Sequence, residues 1–345
     1  MARVAITLGD QAGVGPEVIA RLLSDSQNFQ NVEVVLLANE DELTSAEQQA
    51  GVSVPWSLDR EPGVVQLLPS PESVERIPLR EVSAAAGARV IHQLSRALAL
   101  AKSHEINAIM FGPLNKTSLK LAGMNHEDEL RWFATELGFE GFTSELNILE
   151  NLTTARVTSH IPMSQVAENV KFEHVVAAIK LLSDTLITAG SSSPRLGVCA
   201  LNPHAGENGN FGREELDIIA PAVLSAQKLG IDVEGPFPSD TIFATRRDLY
   251  DGIVTMYHDQ GQIAMKLLGF DSGVTVQGGL PLSIATPAHG TAFDIVGQKK
   301  AHMGATEHAF GHTVLAALRN AAEFDGANAS STDGAQAPPR EKMER

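Results

Sequence analysis

Apolar residues along this chain gather alternately into short unbroken runs and into longer stretches with helical spacing. Val4 to Leu8 is a compact apolar run closed by Gly9-Asp10, the pattern of a strand buried on both faces. Gly13, Gly15 and Pro16 then lead into an apolar-periodic helix from Glu17 to about Leu23, with proline where a first helical turn tolerates it. Val34 to Ala38 is a second buried run. Between Leu79 and Lys102 an Ala-rich segment carries Val90, Ile91, Leu94, Leu98 and Leu100 as a helical stripe. Ala108 to Phe111 predicts another strand, followed by the loop Gly112-Pro113-Leu114-Asn115-Lys116. The alternation continues with a strand edge at Arg156 to Ser159, a helix at Glu173 to Ala189 and a strand at Arg195 to Leu201. A helix at Glu214 to Leu229, a strand at Gly252 to Met256 and a final helix from about His312 to Phe324 complete the pattern. Strands alternating with helices of this length predict an α/β protein with a largely parallel sheet covered by helices. From Asp325 to Arg345 the chain is rich in Gly, Ala, Ser and Pro and then charged. With so little to bury, that segment is expected to be a disordered tail, leaving residues 1–324 as one structural unit.

Composition narrows the picture in three ways. The 345 residues exceed one ordinary core and suit two α/β lobes around a cleft. A formal charge of −16 argues against nucleic acid or an anionic membrane as partner, since both need a basic face. It leaves room for a small anionic substrate, because a few local cations can dominate a cleft. Cys199 is the only cysteine, so no internal disulfide forms and a reducing, cytoplasmic setting is expected. Met1 to Leu8 lacks the features of a signal peptide, and no apolar stretch approaches the length of a membrane span.

The candidate chemistry lies at strand ends. His160 follows Arg156 to Ser159, His204 follows the strand ending Ala200-Leu201-Asn202-Pro203, and His258 follows Val254-Thr255-Met256-Tyr257. Each stands just past the carboxyl end of an expected parallel strand, the edge where open α/β sheets build ligand sites. Three neutral imidazoles suit zinc or another divalent metal and leave positions open for substrate. Any one of them reads equally well as a hydrogen-bonded turn residue; it is the shared placement that favours a metal site. Asp259 and Glu207 are candidates to orient the rings. The turn Gly9-Asp10-Gln11-Ala12-Gly13-Val14-Gly15-Pro16-Glu17 is neither a Gly-x-Gly-x-x-Gly dinucleotide fingerprint nor a Walker loop. His289-Gly290-Thr291-Ala292-Phe293-Asp294-Ile295-Val296-Gly297 is a polar, glycine-bounded loop whose backbone a nucleotide can approach closely, with Asp294 available to a ribose or adenine.

Taken in order, these motifs carry a family resemblance. Gly-Asp-x-Ala-Gly-x-Gly-Pro-Glu at the start, Gly112-Pro-x-x-Lys116, Leu201-Asn-Pro-His-Ala-Gly-Glu207, Tyr257-His-Asp-Gln-Gly261 and His289-Gly-Thr-Ala292 resemble the 4-hydroxythreonine-4-phosphate dehydrogenase family from about Val4 to Phe324. The resemblance implies a two-lobed fold similar to isocitrate and isopropylmalate dehydrogenases, with mainly parallel sheets and a cleft between the lobes. It implies a homodimer with the active site at the subunit boundary, NAD received by the His289 loop (His289, Gly290, Thr291, Ala292 and Asp294), and a divalent metal on His160, His204 and His258. Zinc, magnesium, cobalt or manganese would each serve. Lys266 matches a substrate-binding lysine, and His126 falls where the family has a substrate-contacting histidine.

Two departures stand out. Asn125-His126-Glu127-Asp128-Glu129 replaces the family's Gly-His-Thr-Glu, and Thr275 and Ile284 stand where the family pattern places an Asn and an Arg on the substrate. Arginine is a favoured bidentate partner of phosphate, and nearby carboxylates repel it. The metal and cofactor parts therefore match while the phosphate-reading parts do not. The expected activity is oxidation of a secondary hydroxyl on a small hydroxy acid, with decarboxylation where a β-carboxylate allows it. A phosphorylated four-carbon sugar acid or a carboxylated cis-dihydrodiol is the alternative substrate. Lys266, Lys116, Asp240 and Asp259 are the candidates for binding substrate charge or moving its proton. A non-redox metal enzyme or a binding protein would use the same histidines without needing the His289 loop.

Overall fold

Strands rich in Val, Ile and Leu with no polar face have to be covered on both sides, and this chain does so with helices between almost every pair of them. The computed structural model describes residues 1–70, 77–269 and 272–332. β1 (Arg3–Thr7) is followed by α1 (Gly15–Leu23), β2 (Glu33–Leu37), α2 (Glu40–Ala50), β3 (Trp56–Ser57) and β4 (Val65–Leu67). Next come α3 (Ala84–Lys102), β5 (Ala108–Phe111), α4 (Lys116–Leu121), α5 (Glu129–Leu137), β6 (Ser144–Leu149) and β7 (Leu152–Arg156). Then follow α6 (Met163–Asn169), α7 (Phe172–Ala189), β8 (Leu196–Cys199), α8 (Ala220–Lys228), β9 (Val233–Phe237), α9 (Ser239–Thr241) and β10 (Gly252–Thr255). The chain ends with α10 (His258–Gly269), β11 (Val274–Gly278), β12 (Ser283–Pro287) and α11 (Gly304–Thr332).

All twelve strands join one sheet in the order β3-β4-β2-β1-β5-β12-β11-β6-β7-β10-β8-β9. The run from β3 to β12 is parallel, as is the run from β7 to β9. Between them β11 and β6 pair antiparallel with each other and with their outer neighbours, so the two parallel runs point in opposite directions. Each run with its helices is one α/β half, and the antiparallel strands join them.

Local chemistry sets the helix ends. Asn39 and Glu42 form a reciprocal capping box on α2, Ser83 accepts from Ala86 N–H at the start of α3, and Asp128 accepts from Arg131 N–H at the start of α5. Gly51, Gly138 and Gly190 end α2, α5 and α7 in the left-handed conformation. A buried bidentate pair, Arg89 to Glu42 at 2.6 Å for both bonds, ties α3 to α2, and Gln11 also donates to Glu42. Two boundaries differ clearly from expectation. The strand edge expected at Arg156 to Ser159 is β7, Leu152–Arg156, which ends where that edge was expected to begin. The last helix runs Gly304–Thr332, longer at both ends than His312 to Phe324, because neither Gly311 nor the alanines after Phe324 interrupt a helix. The expected tail therefore begins as helix through Thr332, and 333–345 lie outside the described residues. This helix packs on β12, β5 and β1.

Candidate active site

A cavity of about 310 Å³ opens where β5 and β12 meet the antiparallel strands. Lys116 and Glu129 line it from the α4 and α5 side, and Glu145, Asn147, Thr275, Gln277 and Thr286 from the sheet. His160, His258, Lys266 and His289 close its rim.

Two of the three expected metal histidines come together here. The rings of His160 and His258 lie 5.3 Å apart, centroid to centroid, at 44°. Each is held by a carboxylate on the same nitrogen: His160 Nδ1 pairs with Asp128 Oδ2 at 2.9 Å, and His258 Nδ1 with Asp259 Oδ1 at 2.7 Å. A carboxylate on Nδ1 fixes the proton there and leaves Nε2 as the free lone pair. Two imidazoles on one tetrahedral ion have centroids roughly 5 Å apart, given metal–nitrogen bonds of about 2.0–2.1 Å, so this pair fits a shared metal. Burial pushes Asp128 upward, but hydrogen bonds from His160 and the Arg131 amide and the charges of both residues bring it below the ordinary carboxylate range. The His258 imidazole is held below its usual range, first by burial, although Asp259 acts in the opposite sense. Asp128 thus does work that the sequence did not assign to it. Its place at the N-cap of α5, one residue before Glu129, was the available signal.

His204 does not join them. Among the described residues, the one group of His, Cys, Asp and Glu able to gather on an ion is Glu127, Asp128 and His160. His204 stands exposed on a turn in which five consecutive residues, His204 to Asn208, have φ between 41° and 73°. Non-glycine residues enter that region at a cost. Glu215 anchors the turn: Oε1 accepts from Leu201 N–H at 2.9 Å and Asn202 N–H at 2.7 Å, and Oε2 from Asn202 Nδ2 at 3.0 Å. Glu207, expected to orient the His204 ring, is exposed on the same turn.

The other expected residues divide. Lys116 Nζ lies 3.8 Å from Glu129 Oε2, and burial raises Glu129 above the ordinary carboxylate range. Lys266 and Thr275 line the cavity as expected. Asp240 does not line it; it borders an apolar groove with Phe243, Ile263 and Leu267 along α10. Asp259 borders that groove too and is spent on His258, so it positions the ring. His126 does not line the cavity, and its Nδ1 is buried without a partner. Ile284, at the position of the family's arginine, is fully buried in an apolar cluster with Ile109, Phe111 and Phe133 and reaches no ligand surface.

The loop after β12 meets the first strand-to-helix turn. Val14 N–H donates to Thr291 O at 2.9 Å, and a Cβ on Gly13 would lie 2.6 Å from Thr291 Cβ. His289 Nδ1 pairs with Gly290 O at 3.0 Å while its Nε2 is buried without a partner. A side chain at Gly290 would meet nothing within 4 Å, Ala292 is left-handed with φ 43°, and Asp294 is exposed. Open backbone, an unsatisfied ring nitrogen and an exposed carboxylate fit a nucleotide.

Comparison with known proteins adds a family to this geometry. The profile of pyridoxal phosphate biosynthetic protein PdxA matches residues 17–313. A Pseudomonas aeruginosa protein provisionally named 4-hydroxythreonine-4-phosphate dehydrogenase 2 is 51% identical over 89% of this chain and 95% of its own length. D-threonate 4-phosphate dehydrogenase of Salmonella typhimurium is 37% identical over 86% of this chain and 94% of its own. Among solved structures, 4-hydroxythreonine-4-phosphate dehydrogenase from Klebsiella pneumoniae superimposes with a TM-score of 0.78 at 32% identity, covering 91% of this chain and 98% of that one. A terephthalate 1,2-cis-dihydrodiol dehydrogenase from Burkholderia xenovorans gives 0.67 at 27% identity, covering 91% of this chain and 98% of that one.

Proposed function

We propose, from the premise that this chain belongs to the family of pyridoxal phosphate biosynthetic protein PdxA, that it oxidises a secondary hydroxyl of a small hydroxy acid, using NAD and a divalent metal. The observation that carries this reading is the His160–His258 pair, each ring locked through Nδ1 by its own aspartate at the rim of a polar cavity. When bound, the metal supplies a Lewis acid for the substrate hydroxyl and NAD supplies the hydride acceptor. The chain's own residues do the rest. Asp128 and Asp259 hold the Nδ1 protons, so both rings present Nε2 without rearranging. Lys266 and Lys116 place a cation against the substrate's carboxylate, and whichever of the two is held as the neutral amine would take the hydroxyl proton. His289, Gly290, Thr291, Ala292 and Asp294 receive the nucleotide. Where the substrate carries a carboxylate β to the new carbonyl, carbon dioxide leaves.

His204 supports a homodimer in this reading. A histidine exposed on a strained but well-anchored turn suits a site completed by a second copy, so that the third ligand is His204 of the partner subunit. Ile263 and Leu267, 60% and 83% exposed beside Phe243, offer apolar surface for such a contact. Sedimentation showing a monomer at concentrations where the protein is active would remove this part. Among the described residues no helix is long and apolar enough to cross a membrane. Cys199 is fully buried, its thiol pushed up to about 12 by burial, so it takes no part in the chemistry.

The test is NAD reduction by the purified protein against a panel of hydroxy acids: 4-hydroxythreonine phosphate, D-threonate with and without its 4-phosphate, and a carboxylated cis-dihydrodiol. Activity should disappear with a chelator, return with added divalent metal, and be lost in His160→Ala and His258→Ala with melting temperature retained. Full turnover after metal removal would refute the metal, and no NAD reduction with any acid would refute the dehydrogenase.

A further inference from the structure

The sheet forms the floor of the cavity, and one face of α10 forms part of its wall. His258, Gln262 and Lys266 all line the cavity, at positions i, i+4 and i+8 of that helix. Residues of such a row stand one above the other, about 6 Å apart along the axis. Asp259, Ile263 and Leu267, one position further on in each turn, border the neighbouring apolar groove, so the two faces of α10 are cleanly divided. His258 belongs to the metal pair and Lys266 is a cation for the substrate, with Gln262 between them. Gln262 is half-buried. Among the described residues, neither its amide nor the Lys266 ammonium makes a hydrogen bond or ion pair within the chain.

The neighbours of Gln262 decide what it binds. A glutamine amide offers two N–H donors and a carbonyl acceptor, and with no bond inside the fold to fix it the group can turn either end to a ligand. Side chains on a helix lean towards its N-terminus, so the Lys266 stem carries its ammonium back over the turn that holds Gln262. An anionic group drawn to that ammonium lies against the amide, where the N–H end is attracted and the carbonyl end repelled. Lys116 faces the same cavity but lies 3.8 Å from Glu129, which offsets part of its charge. Lys266 is therefore the cation left to a ligand. One turn back, about 6 Å, His258 presents the metal side, a separation that a short hydroxy acid spans with its hydroxyl at one end and its anion at the other.

We propose that Gln262 is a specificity-determining residue whose amide donates to the anionic end group of the substrate, a carboxylate or a phosphate ester, beside Lys266 and one helical turn from His258. This rests on the hydroxy-acid dehydrogenase reading above and adds a residue that touches the substrate at the same site.

The test compares Gln262→Leu and Gln262→Glu with the wild type, each as the full chain with added magnesium, by calorimetry with D-threonate and with D-threonate 4-phosphate. Gln262→Leu should bind at least one of the two acids roughly ten- to a hundredfold more weakly, the loss of a hydrogen bond to a charged group. Gln262→Glu keeps the shape but sets a carboxylate against the anion, and should bind that acid more weakly still. Loss on the 4-phosphate alone would identify the phosphate as the group that is read, and equal loss on both acids the carboxylate. Melting temperature without ligand, metal affinity and stabilisation by NAD should stay near wild-type values, because the Gln262 amide makes no bond inside the fold. Unchanged affinity for both acids in Gln262→Leu would overturn the proposal. So would binding by Gln262→Glu as tight as the wild type's, which would mean that the amide accepts from a hydroxyl. A clear fall in melting temperature in both variants, or failure of the wild type to bind either acid, would overturn it as well. NAD reduction is followed in parallel. Binding that depends on Gln262 with no NAD reduction would sink the dehydrogenase reading and leave the anion contact standing, while normal reduction with unchanged affinities would sink the proposal alone.

Discussion

Replacing Gly13 with alanine drives a methyl group into the contact between the first turn and the loop after β12. The new Cβ would lie 2.6 Å from Thr291 Cβ and 2.8 Å from Thr291 O, where ordinary contact begins near 3.4 Å. Neither side yields easily. Thr291 is buried and its carbonyl accepts from Val14 N–H at 2.9 Å, while the next residue, Ala292, already sits at φ 43°. Behind the turn, Gly15 packs so closely on Leu8 O that α1 has no room to retreat, since a Cβ there would be 2.2 Å away. The strain is therefore relieved by the loop moving outward, at the expense of the Val14–Thr291 hydrogen bond. Overpacking of this kind costs about 1–3 kcal/mol and the lost bond about 1 kcal/mol, together ~2–4 kcal/mol. Because the loop moves and the core does not, most of that penalty should appear in NAD binding. In a thermal-shift titration, Gly13→Ala should melt a few degrees below the wild type and lose most of the stabilisation that NAD gives. Its affinity for the divalent metal should be unchanged, since His160 and His258 stand on other elements. An unaltered NAD response would refute the coupling of turn and loop, and a parallel loss of metal binding would show general damage instead.

Two further outcomes are expected. Burial lowers the pKa of His312 to about 4, so below pH 6.5 the unfolded chain takes up a proton that the folded chain refuses. Stability should therefore fall as pH drops from about 6.5 towards about 4, by ~2 kcal/mol after discounting for the ring's partial exposure, and His312→Leu should flatten that part of a pH series of urea melts. Asp128→Asn keeps the N-cap of α5 but takes the negative charge from His160 Nδ1. Metal affinity should fall about 10- to 100-fold with little change in melting temperature, and an unchanged titration would show that the aspartate does not tune the ring.

What could be read from the residues alone follows burial. Ala108 to Phe111 coincides with β5 residue for residue, because a strand covered on both faces is an unbroken apolar run with sharp ends. The strands that build the cavity floor were not recognised. Ser144–Leu149, Val274–Gly278 and Ser283–Pro287 place polar groups on one face for a ligand, so their apolar signal is halved. The alternation of Val274 and Val276 with Thr275 and Gln277 was the trace they left. Strand order was not legible either: nothing local marks β12 as the neighbour of β5, and only that pairing brings the His289 loop onto the first turn.

The two departures from the family pattern show where reasoning by position stops. Glu127 and Asp128 beside His126 looked like charges aimed at a phosphate. The structure instead sets Asp128 on His160 Nδ1, and Glu127 Oε1 accepts from His160 N–H at 3.0 Å, so both hold His160 in place. Ile284 looked like an arginine lost from the substrate surface, yet the side chain points into an apolar cluster and offers a ligand nothing. A substitution identifies the group that has gone, but the charges that remain can stand on other elements: among the described lining residues the lysines are Lys116 on α4 and Lys266 on α10.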